Sequence, residues 1–169
     1  MTTINDTVRG RLRQRRAIRD GRRLITSGDI DDLLTQLAAR RQRRLVSLAV
    51  PLPGSAPSGV WLAMTNGDYL LHPEGASPVR REAVLCHEVS HMLLGHVPAL
   101  HISVTRDLLA TIAPTLAARV SAAVLFRDGY TDTEESAAEF VATVLAAALH
   151  ERRAATLWET SSHLSSRLR

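Results

Sequence analysis

The sequence predicts an α+β fold, mostly helical, with a small antiparallel sheet packed beside one strongly marked helix. Three observations predict it. Ser77, Pro78 and Gly95 mark both ends of a helix over 78–94. Two short apolar runs flank Asn66-Gly67, a pair suited to the positive φ angles of a tight hairpin turn. An apolar content of 45% in 169 residues is enough for a sizeable single core.

In chain order, helices are expected over 4–23 and 30–44, separated by "ITSGD", where Ser27 or Asp29 caps the second. "LVSLAV" (45–50) reads as a strand. It runs into "PLPGSAPSG", whose prolines and glycines make a loop. "VWLAM-TNGD-YLLH" follows as the hairpin, and the 78–94 helix comes next. "ISVTRDLLATIAPTLAARVSAAVLF" is read as one helix kinked at Pro114 or two short ones, "RDGYTDT" as a loop, and a last long helix as running from near Glu134 to about 155. The coarse division is an Arg-rich helical arm over 1–44 and a domain over 45–169, the two forming one compact unit.

Composition narrows the function classes. A lone cysteine, Cys86, rules out an internal disulfide and fits a reducing compartment. The start of the chain lacks the apolar stretch of a secretory signal, and no run approaches the length of a membrane span, so a cytoplasmic protein with no membrane role is expected. All 21 basic residues are arginines, a bias that suits a GC-rich coding sequence. Residues 1–44 hold 12 Arg against five Asp, so the basic character is an N-terminal property.

The chemistry concentrates in "REAVLCHEVSHMLLGH" (81–96). His87 and His91 lie four apart and share one helix face with aliphatic neighbours. Burying unpartnered imidazoles is costly, and two of them one turn apart can point their nitrogens at a single ion, which removes that cost. Glu88 lies about 100° round the helix, poorly placed as a ligand but able to take a proton from water. This is the H-E-x-x-H arrangement of zinc peptidases, and it makes zinc the expected cofactor. A catalytic zinc needs a third protein ligand. His96 is out of register with the longer metal-binding pattern that ends in a third histidine, and a solvated helix-end role suits it better. In "YTDTEESAAEFVATVLAAAL", apolar periodicity through Ala137, Phe140, Val141, Val144 and Ala148 puts Glu134 on the core face, with Glu135, Glu139 and Ala142 toward the outside. Thr131-x-x-Glu134 and Asp132-x-x-Glu135 both match a capping box. Giving the cap to Asp132 and Glu135 leaves Glu134 as the ligand. Tyr130, His101 and His96 are available as donors to a developing oxyanion.

Together, "HEVSHMLLGH" and "EESAAEF" resemble the ImmA/IrrE family of zinc metallopeptidases, and the hairpin and preceding strand extend the likeness over roughly residues 30–150. The resemblance implies a zincin-like, gluzincin-type fold, with His87, His91 and Glu134 as zinc ligands and Glu88 as general base. It also implies a zinc-dependent endopeptidase whose protein substrate is a helix-turn-helix regulator, in the manner of toxin-antitoxin systems. Ala138 stands where the family often has Asn or Asp, which removes a hydrogen bond that would hold a ligand or substrate in place. The alternative is a non-proteolytic, zinc-containing regulatory module that binds a protein partner or nucleic acid through the Arg-rich arm. The arm lacks interleaved aromatics and a recognition motif, so the sequence favours the protein substrate over nucleic acid.

Overall fold

The computed structural model describes residues 4–52, 58–64, 66–97 and 129–167. The helix expected within 102–126 and the candidate donor His101 lie outside them. Among the described residues there are four helices and a three-stranded sheet, an α+β architecture: α1 (Ile4–Leu24), α2 (Ile30–Arg41), β1 (Leu45–Val50), β2 (Val60–Met64), β3 (Gly67–Pro73), α3 (Pro78–Leu94) and α4 (Asp132–Arg167).

Local chemistry sets the boundaries. Asp29 caps α2 by accepting from Asp31 N. Ser77 caps α3 by accepting from Arg80 N, Pro78 opens it, and Gly95 ends it at φ 74. α2 stops at Arg41, short of the expected 44, because Gln42 turns left-handed at φ 50 and the backbone N–H groups of 42 and 43 close onto Ala39 O and Ala38 O. α4 runs beyond the expected 155 to Arg167, since no Gly or Pro interrupts it.

The sheet is mixed, which corrects the antiparallel expectation. Its order is β1-β3-β2, with β2 antiparallel and β1 parallel to β3. The chain reverses between β1 and β2, and β3, buried from Gly67 through His72, then takes the centre between them. The hairpin turn also shifts by one residue. Met64 pairs with Gly67, so residues 65 and 66 make the connection and Gly67 opens β3. Gly67 has φ 152, and a Cβ there would sit 2.9 Å from Arg44 O, so close backbone approach, rather than the turn, requires glycine.

The core lies between α3 and α4 and continues into α1, α2 and the sheet. Leu33, Leu37, Leu70, Leu85, Val89, Val141, Leu145 and Leu149 are all buried in it. α1 joins through Ala17 and Gly21, where a Cβ would fall 2.5 Å from Leu145 Cδ2. The same core therefore spans both sides of residue 44. Ion pairs fix the helix junctions: Asp20 of α1 meets Arg40 of α2 at 2.7 Å, and buried Asp68 of β3 meets Arg41 at 3.1 Å and Arg43 at 3.0 Å. Among the described residues no helix is long and apolar enough to cross a membrane.

Candidate metal centre

α3 packs along α4 through Cys86, Val89 and the small residues Ala138 and Ala142, all buried, which brings its polar stripe beside the start of α4. There the Nε2 atoms of His87 and His91 stand 3.0 Å apart. Glu135 Oε2 is 3.3 Å from His87 Nε2 and 3.8 Å from His91 Nε2. These three side chains form the group that could hold a metal ion among the described residues. Donors bound tetrahedrally to zinc at about 2.0–2.2 Å lie about 3.3–3.6 Å from one another. The three edges bracket that length, and two imidazole nitrogens with a carboxylate oxygen are a zinc donor set.

The far nitrogens of both rings are also engaged. His87 Nδ1 lies 3.4 Å from Glu139 Oε2, and His91 Nδ1 lies 2.9 Å from His96 Nδ1. Such contacts fix ring orientation and tautomer, leaving Nε2 to face the centre. Tyr130 stacks on His91 with ring centroids 3.8 Å apart, clamping an imidazole that is itself fully buried.

The third carboxylate differs from the expected one. Glu134 Oε2 accepts from Thr131 N at 3.0 Å and Thr131 Oγ1 at 2.9 Å, while Thr131 Oγ1 accepts from Glu134 N. That is the reciprocal capping box, filled by Glu134 instead of Glu135. The physical reason is the roll of α4 about its axis. Phe140, counted as core in the sequence, is 54% exposed, whereas Ala142, assigned to the outside, is 6% exposed. The flank that carries Glu135 and Glu139 consequently meets His87. His96 likewise departs from a free solvated role by reaching back to His91.

Glu88 is buried, 4% exposed, beneath the start of β2. Burial, reinforced by the charge of Glu135, raises its carboxyl to about 8, against a hydrogen bond from the backbone N–H of Trp61. A Cβ on Gly59 would meet Glu88 Oε1 at 2.8 Å and Val84 Cγ1 at 2.5 Å. Gly59 thus lets the strand lie against the carboxyl, a role that the loop-like composition around it conceals. Cys86 is fully buried and its thiol is pushed up to about 12, mainly by desolvation, which makes it a core residue and not a reactive one.

No family model, no curated protein and no solved structure matches the chain.

Proposed function

We propose that the protein is a zinc-dependent endopeptidase with a zincin-like site, cytoplasmic, and acting on a regulatory protein of the helix-turn-helix kind. The observation that carries this is the triangle of His87, His91 and Glu135 with the buried Glu88 on the same helix. His87, His91 and Glu135 would hold the zinc, which supplies Lewis-acid polarisation of a carbonyl and of water. Glu88 takes a proton from the attacking water and returns it to the departing amine; the positive charge of a bound zinc would favour the carboxylate form that the first transfer requires. Glu139 and His96 hold the two imidazoles in place from behind. The substrate class rests on the family likeness of the two motifs.

Zinc content by elemental analysis, after dialysis against a weak chelator, tests the site. One zinc per wild-type chain is expected, lost in His87→Ala and Glu135→Ala and kept in Glu134→Ala, with all variants folded. Loss in Glu134→Ala with retention in Glu135→Ala would return the ligand role to Glu134. No zinc in the wild type, even after reloading, would overturn the reading. Activity is then sought on a purified helix-turn-helix regulator, with Glu88→Gln as the uncleaving control.

A further inference from the structure

Residues 8–13 of α1 stand apart from the other described residues. Val8, Arg9, Gly10, Arg11, Leu12 and Arg13 are all exposed, and a Cβ added at Gly10 would meet nothing within 4 Å. Burial begins only with Ala17, Asp20 and Gly21. Arg9, Arg11, Arg13 and Arg15 have no acidic partner among the described residues, and Arg16 reaches Asp20 only at 3.8 Å. The α2 arginines are different: Arg40 and Arg41 are committed to Asp20 and Asp68.

With about 100° between successive residues, Val8 and Leu12 mark one line along the exposed face. Arg11 and Arg15 fall on one side of that line, and Arg9, Arg13 and Arg16 on the other. An acidic protein helix would engage one stripe of this fan and leave the other side unpaired. A membrane surface needs a broad apolar face, and two aliphatic residues do not make one. A helix with cations on both flanks and a narrow apolar crest matches a trench with negative walls. The major groove of B-form DNA, about 12 Å wide, is such a trench, whereas the deep, narrow major groove of duplex RNA excludes a helix.

We infer that the projecting part of α1 docks in the major groove of duplex DNA. Arg11 and Arg15 contact one phosphate backbone, Arg9, Arg13 and Arg16 contact the other, and Val8 and Leu12 face the base edges. Val8 and Leu12 offer the base edges no hydrogen-bonding side chain, so recognition is of duplex form with little sequence preference. This surface is independent of the metal centre, and a failure of either reading leaves the other untouched.

The test is fluorescence anisotropy of a labelled duplex of about 20 base pairs against the full chain over a salt series. Five phosphate contacts give a slope of log K against log salt near −4.5, taking about −0.9 per contact. Arg9→Gln/Arg13→Gln/Arg16→Gln is expected to flatten that slope by about 3, while Arg44→Gln/Arg80→Gln, which removes exposed charges elsewhere, leaves it close to wild type. The altered α1 side chains are exposed, and circular dichroism checks that each variant is folded. Absence of duplex binding at low salt would overturn the inference. So would equal loss in the two variants, tighter binding of single-stranded than duplex DNA, or displacement by polyglutamate at matched charge, which would show a surface that reads acidic chains.

Discussion

At the residue scale, Glu139 and Glu88 make the sharpest predictions. Glu139 falls on the outer side of its helix by apolar periodicity, yet its carboxylate sits 3.4 Å from His87 Nδ1. Removing such a support typically weakens metal binding about 10- to 100-fold. Because Glu139 is largely exposed, Glu139→Ala is expected to weaken zinc binding about tenfold in chelator competition, and Glu139→Gln, which can still accept a hydrogen bond, to restore part of it. Equal affinity in Glu139→Ala and wild type would show an incidental contact. Glu88 sets a pH signature in zinc-free protein. Its carboxyl is raised from 4.5 to about 8, so the folded chain keeps a proton that the unfolded chain releases. Stability is therefore full below the unfolded value and declines as pH rises toward 8. Melting temperatures of chelated wild type should fall across that range relative to Glu88→Gln, and parallel profiles would contradict a buried neutral Glu88. Of this centre, His87, Glu88 and His91 were legible because four-residue spacing on a capped helix fixes which side chains align. The choice between adjacent Glu134 and Glu135 was not legible, because it depends on how α4 rolls against another helix.

At the element scale, α4 shows what apolar patterning reads and what it misses. Leu145 and Leu149 belong to a buried stripe that runs through Ala138, Val141 and Ala142, and helical periodicity finds the helix itself without difficulty. The exact facing direction is another matter, since a large aromatic such as Phe140 draws the pattern toward its own face while the small alanines supply the close approach to α3. Leu145→Ala should destabilise the fold by about 3 kcal/mol, while Phe140→Ala should cost about 0.5 kcal/mol or less. Urea denaturation measures both, and a larger loss for Phe140→Ala would place the core on the other flank. The sheet was half legible for a similar reason. The β2–β3 hairpin is encoded locally by two apolar runs and a short connection, whereas the insertion of β3 between β1 and β2 is a long-range pairing that no local pattern encodes. Nothing in "LVSLAV" alone announces a parallel neighbour.

At the scale of the whole molecule, the candidate metal centre lies between α3 and α4, so a cation held there would be coupled to the main helix-helix contact of the core. Zinc that binds only the folded chain stabilises it by mass action, about 2.7 kcal/mol at a hundredfold excess over Kd. For a chain of this length that raises the melting temperature by roughly 5–10 °C. The rise should be abolished in His91→Ala, and a rise of the same size in that variant would place the bound zinc elsewhere. The order of the ligands along the chain carries a consequence in time. During synthesis His87 and His91 emerge roughly 45 residues ahead of Glu135, an interval of about 2–9 s at about 5–20 residues per second. Through those seconds the nascent chain offers the two imidazoles without Glu135, so capture of a zinc ion at this centre would belong to the end of synthesis, after the start of α4 has left the ribosome.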